Sequence, residues 1–428
     1  MKTYYLNKIS SKKRESLLKR PAIDMQEVNR AVKPVVEGIK KEGLSKALFY
    51  ARKFEGFAGN DIFVSKDEFD AAEKNLDPEV KKAMKTAARN IEKFHAKQKP
   101  KSYSVTTAEG IVCSREYRPI TDAGLYIPGG SAILPSTMLM LGIPAMIAGC
   151  QRVTAASPQG RNGISNALLY AARLTGVSEF IRIGGAQAVA LMAYGGGPFR
   201  RVHKIFGPGS QYVTAAKMMV SIDPDGCAID MPAGPSEVLV IADGNSNPEF
   251  IAADLLSQAE HGADSQVVFI TVSEKIAAKV EKEVAKQLSL LPRKATAAKA
   301  LKNSFTLITG DIADAVEFSN DYAPEHLIIH LKNAEKYVPE IINAGSVFLG
   351  EYSPESAGDY ASGTNHSLPT YGYARSFGGV SVESFMKTVT FQKLSRKGLK
   401  TIAQAVETLA ETEGLQAHKN AVSVRMKK

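Results

Sequence analysis

KIFGPGSQYVTAAKMMV (204–220) reads as an apolar strand, a glycine-rich turn and a helix. The same unit recurs on both sides of it. VTAASP (153–158) is a strand, NALLYAARLTG (166–176) a helix stopped by glycine, EFIRIGG (179–185) the next strand, and AQAVALMAYGGG the start of another helix. Downstream, EVLVIAD (237–243), PEFIAADLLSQAEHG (248–262), SQVVFITV (265–272), a long charged helix and FTLITGD (305–311) continue the alternation. AEKYVPEIINAG (334–345) and SVFLGEY (346–352) close it. Strands alternating with helices predict an α/β fold of doubly wound, mostly parallel sheet. The strands are nearly continuous apolar runs, as expected where both faces of a sheet are covered. The segment 127–235 is dense in glycine-rich turns and reads as one unit, and its flanks are expected to form a second sheet. Residues 1–100 read as helices, ending at Pro100.

The chain has 428 residues, more than one compact core accommodates. It is 44% hydrophobic and 23% charged, the balance of a soluble enzyme. Cys113, Cys150 and Cys227 are scattered and odd in number, so no disulfide framework is expected and a reducing, cytoplasmic setting is. The N-terminus lacks the apolar core of a secretory signal. One apolar run, 133–150, approaches membrane-spanning length, but Pro135, Gly142 and Pro144 and the missing basic flanks predict a buried helix. The formal charge of +10 sits partly in KKRESLLKR (12–20) and at the C-terminus. Elsewhere Lys alternates with Glu along helical stretches, a solvated face, and no aromatics interleave with the basic residues. No nucleic-acid partner and no membrane span are expected.

No GxGxxG fingerprint and no GxxxxGK[ST] loop is present. Three other glycine-rich turns, YIPGGSA (126–132), IGGAQA (183–188) and FGPGSQY (206–212), each lead into a helix. Backbone N–H groups at such a helix start suit an anion such as a pyrophosphate, although glycine also serves simply to make a tight turn. Gln258 and His261 lie three apart near a helix end and share a face, so both can point at one ion; a helix-end His before Gly also fits the helix dipole. Glu325 and His326 adjoin at the start of a strand, a carboxylate beside an imidazole, as acid/base work requires. His330, His95 and His203 read as structural. Asp359 and His366 bracket ASGTN in a polar, glycine-rich stretch, as ligands or as solvent-facing loop residues. Glu413 and His418 lie near the C-terminus, in an amphipathic stretch (397–422).

Taken together, GLYIPGGSA, IGGAQAVA, KIFGPGS, IDMPAGPSEVLVIAD, DLLSQAEHG, YAPEHLII, AGSVFLG, SPESAGDYASGTNHSLPTYGYAR and the final HKNAV closely resemble the histidinol dehydrogenase family, from about residue 120 to the end and more loosely before it. The resemblance implies oxidation of L-histidinol to L-histidine through L-histidinal, with two NAD⁺ used in succession. It implies Zn²⁺ on Gln258, His261, Asp359 and His418, and Glu325 and His326 as the acid/base pair. Substrate contacts are implied at Ser236, His366 and Glu413, and at the zinc ligands and His326. NAD contacts are implied at Tyr126, Gln187 and Ser210. The family usually reads GPGN where this chain has GPGS, so Ser210 alters the contact that position carries. The implied fold has two Rossmann-like domains without the glycine fingerprint, with helical terminal arms. We expect an N-terminal arm over 1–22, a larger discontinuous catalytic domain over 23–126 and 236–378, an NAD-side domain over 127–235, and a C-terminal helical dimerisation tail over 379–428. The resemblance also implies a homodimer in which that tail completes the partner's site.

Overall fold

The computed structural model describes residues 1–20, 25–129, 133–160 and 163–427. The turn YIPGGSA and the 22/23 boundary therefore fall partly outside the described residues. Two parallel sheets form, as the alternation predicts. The larger has six strands in the order Lys2–Tyr5, Phe305–Ile308, Gln266–Thr271, Glu237–Ala242, His326–His330, Ser346–Leu349. Its four inner strands are buried along their whole length. The smaller has five, in the order Glu179–Ile181, Arg152–Ala156, Asp122–Tyr126, Lys204–Phe206, Ala228–Ile229. In both, the strand order reverses beside a central strand; in the smaller sheet this opens a crevice outside the carboxyl ends of the strands.

The expected grouping of 23–126 with 236–378 is corrected by packing. The strand Asp122–Tyr126 lies at the centre of the smaller sheet. The helix Met25–Glu42 turns Val28, Val32, Val35, Val36 and Ile39 onto the same core as Ile181, Val189 and Val220. The helix Pro78–His95 turns Met84 and Ile91 onto the opposite face, against Met138 and Leu141. Each such buried aliphatic contributes about 1.5–3 kcal/mol, so the stripe on Met25–Glu42 outweighs the ~3 kcal/mol that Pro34 costs inside it. These helices serve the smaller sheet because its two apolar faces need cover. The larger sheet is covered by its own crossover helices and by Leu17 of the N-terminal helix Ser11–Leu18.

Three further features depart from the expected pattern. Lys2–Tyr5 is a strand, not helix, and pairs in parallel with Phe305–Ile308. The C-terminal tail opens with a strand, Met386–Leu394, antiparallel to Ile111–Pro119, which pairs with Tyr103–Ala108. The stretch 334–345 forms a 3₁₀ segment, Ala334–Glu340, with Pro339 inside it. The rest of the tail is helical, Arg396–Thr412 and Gln416–Met426, broken at Gly414 with φ +72°. The apolar run around 133–150 becomes the buried helix Pro135–Ala148. Among the described residues no helix is long and apolar enough to cross a membrane.

Candidate active site

A cleft of about 1070 Å³ opens where the two sheets meet. The smaller sheet presents its carboxyl edge to it. Tyr126 ends the strand Asp122–Tyr126, Gln187 lies in the first turn of the helix Gly185–Tyr194, and Ser210 caps the helix Gln211–Ile222. The larger sheet presents its amino edge. Ser236 precedes the strand Glu237–Ala242, Glu325 precedes and His326 begins the strand His326–His330, and Gln258 and His261 stand at the end of the helix Pro248–Ala259. The short helix Glu355–Tyr360 and the chain beyond it bring in Asp359 and His366. Ten of the sequence-derived site residues thus line one cavity. Glu413 and His418 do not. Both are exposed on the C-terminal helices and neither lines the cleft.

The stretch 353–379 is no free connector. Nδ1 of His366 is bonded to the carbonyl of Asp359 at 2.9 Å, and Nε2 meets the Thr137 hydroxyl at 3.1 Å. Asn365 is buried and donates to Met140 O at 2.6 Å. One ligand atom each from His261, Glu355 and Asp359 lie within 4.8 Å of one another. Glu355 escaped the sequence reading, although Glu355 and Asp359 are four apart on one helix, a spacing that puts both carboxylates on one side. The Gln258 amide, oriented by its neighbours, donates to Glu355 and accepts from the Glu237 N–H at 3.1 Å.

Burial dominates the electrostatics here. It pushes Asp359 up to about 7 and Glu355 well above the carboxylate range, the latter raised further by Asp359, Glu325 and Asp254. Glu325 is raised well above its ordinary value by burial, against a backbone hydrogen bond from Glu237 that lowers it. His326 is pushed down to about 3 and His366 to about 4, again by burial first. His326 is therefore a neutral ring near neutral pH. Its Nδ1 is bonded to the Glu237 carbonyl at 3.0 Å, so that nitrogen carries the proton. Its Nε2, 3.7 Å from Asp359 Oδ1, is buried without a hydrogen-bond partner.

On the smaller sheet's side, Tyr126 is buried and its hydroxyl accepts from the Gly185 N–H at 3.0 Å. Gln187 donates to Glu55, whose carboxylate also accepts from the Gly184 N–H at 3.0 and 3.1 Å. In the IGGAQA turn the Gly184 N–H and the Gln187 amide thus already serve a carboxylate of the chain, and the Gly185 N–H a tyrosine hydroxyl. The FGPGSQY turn differs, since Ser210 caps its helix without a side-chain bond. His95, His203 and His330 make internal contacts: with Ile91 O, with Thr121 and Asp122, and edge-on to Phe250.

The comparisons with known proteins agree with one another. A family model described as histidinol dehydrogenase matches residues 18–426. The chain is 51% identical to the histidinol dehydrogenase of Aliivibrio fischeri, across all of this chain and 97% of that protein. It is 50% identical to the chloroplastic histidinol dehydrogenase of Arabidopsis thaliana, across all of this chain and 92% of that one. The crystal structure of histidinol dehydrogenase from Elizabethkingia anophelis superposes with a TM-score of 0.93 at 50% identity, covering all of this chain and 98% of that one.

Proposed function

The chain belongs to the histidinol dehydrogenase family, enzymes of histidine biosynthesis, and from that premise we propose that it oxidises L-histidinol to L-histidine through L-histidinal, using two NAD⁺ in succession and one zinc ion per subunit. The observation that carries the reading is the His326 ring, neutral, buried, fixed by Glu237 through Nδ1 and with Nε2 unpartnered. Such a nitrogen takes a proton from a hydroxyl placed against it.

The residues fit a zinc ion. His261 and Asp359 are suitable donors, and Gln258 and Glu355 stand beside them. Buried, mutually repelling carboxylates favour a divalent cation between them. Gln258, His261 and Asp359 would hold it, with His418 supplied by the tail of a second copy. Bound zinc would hold the substrate's imidazole and amine, and bound NAD⁺ would accept the electron pair at each oxidation. The chain's residues do the proton work. His326 Nε2 takes the proton of the alcohol, and later that of the aldehyde hydrate. Glu325, whose raised proton affinity suits a base, takes a proton from the water that adds to the aldehyde. Ser236, His366 and Glu413 contact the substrate, and Tyr126, Gln187 and Ser210 line the cofactor's half of the cleft.

Because Glu413 and His418 stay outside their own cleft, the working unit in this reading is a homodimer, and its compartment is the cytoplasm. A zinc hydrolase using Glu325 as base would need no NAD⁺. Absorbance of NADH formed from L-histidinol, before and after chelation and after zinc is added back, separates the two. No NADH from the zinc-loaded protein sinks the proposal.

A further inference from the structure

Glu237 begins one strand, Glu325 immediately precedes the adjacent one, and the two clasp each other. The Glu237 N–H donates to Glu325 Oε2 at 2.9 Å, and the Glu325 N–H donates to Glu237 Oε1 at 3.2 Å. The same residue's carbonyl accepts from His326 Nδ1 at 3.0 Å. Glu237 thus touches both members of the acid/base pair. Two carboxylates this close and this buried repel unless one is neutralised. The neutralising group comes from the N-terminal arm. Arg20 donates to Glu237 through Nε and through NH2, each at 2.7 Å, a two-pronged pair with both side chains at most 5% exposed. The guanidinium also lies over the Tyr322 ring at 3.5 Å and donates to the Ala323 carbonyl at 3.1 Å. Ala323 holds φ +52°, a left-handed conformation that a residue with a Cβ adopts only under constraint. It sits two residues before Glu325, so Arg20 pins the turn that aims the pair.

We infer that Arg20 and Glu237 are positioning residues for this enzyme: they fix the Glu325 carboxylate and the His326 ring without touching substrate. The inference rests on the reading that Glu325 and His326 perform the chemistry. Because the pairing is bidentate and stacked, lysine replaces arginine there only in part.

The test uses the full-length, zinc-loaded protein and its variants Arg20→Met, Arg20→Lys and Glu237→Gln. It reads kcat for L-histidinol, KM for NAD⁺, zinc content and Tm. Wild-type turnover tests the reaction itself, and the ratio of variant to wild type tests the relay. We expect Arg20→Met and Glu237→Gln to lower kcat per zinc-loaded site about tenfold or more, with KM for NAD⁺ within about twofold. Arg20→Lys should recover part of the loss. Should the first two fail to fold, Arg20→Lys carries the test alone, with kcat between about 10% and 50% of wild type expected. Wild-type kcat per site in any folded variant, even at lowered Tm, overturns the inference and leaves only a structural ion pair.

Discussion

The ring of His366 is bonded through Nδ1 to the carbonyl of Asp359, 2.9 Å away and seven residues back in the chain. The bond closes the glycine-rich loop on itself and holds the Asp359 backbone at the cleft. Loss of the carboxylate and loss of its support should differ in degree. Asp359→Ala should abolish stoichiometric zinc. His366→Ala should weaken zinc about 10- to 100-fold, the usual effect of removing a group that orients a ligand, and should also impair substrate use. Zinc content after dialysis against graded chelator measures both. Equal zinc loss in the two variants would contradict this ranking.

The two half-reactions should separate. His326→Ala removes the free Nε2, so single-turnover NADH formation from L-histidinol should fall about 10²- to 10⁴-fold. Glu325→Gln keeps the shape at the strand start but removes the base. It should slow oxidation of L-histidinal much more than that of L-histidinol. Stopped-flow absorbance with each substrate in turn reads the difference, and equal losses on both substrates would contradict the division of roles.

Subunit mixing tests the tail. Asp359→Ala and His418→Ala proteins should each be inactive. If His418 serves the opposite subunit, a mixed dimer has one site with both changes and one with neither. Unfolding and refolding an equal mixture should then recover roughly a quarter of wild-type activity, as statistical pairing of a twofold dimer gives. Recovery near zero would return His418 to its own chain, and an active His418→Ala protein would remove it from the site.

Asp223 offers a pH test away from the cleft. Lys40 at 2.7 Å and Tyr194 at 2.8 Å hold its carboxylate down to about 2. The folded value lies below the unfolded one of about 3.9, so the ionised form favours the fold. That contribution is complete above about pH 4 and fades as pH falls toward 2. Asp223→Asn should lower Tm by about 1–2 °C at pH 7, and the gap should narrow below pH 4. A gap that persists unchanged at pH 3 would assign the effect to packing.

The parallel α/β plan was legible because buried strands leave unbroken apolar runs such as EVLVIAD, and glycine turns mark where they end. What the sequence concealed was partnership. Nothing in the periodicity of Met25–Glu42 says which of two apolar sheets its stripe will cover. Lys2–Tyr5 is short, half exposed and polar in part, so it carries no strand signal apart from its neighbour Phe305–Ile308. Residues that line the cleft were legible one motif at a time. Residues that serve other residues were not. Glu237 lies inside a quoted motif and Arg20 inside a run of basic residues, and each matters through a contact across more than two hundred positions. Glu355 was within reach of a helical-spacing argument and needed only the reading of 355–360 as helix.

The pairing of Lys2 with Phe305 sets an order on synthesis. The strand Lys2–Tyr5 is the edge of a sheet whose adjoining strand is made about three hundred residues later. At ~5–20 residues per second that interval is about 15–60 s. Through it, the amino end must stay unpaired and unaggregated while the smaller sheet is completed first. The arm that carries Arg20 can therefore dock only near the end of folding. The larger sheet, and with it the wall of the cleft that carries Glu325 and His326, closes as one late event.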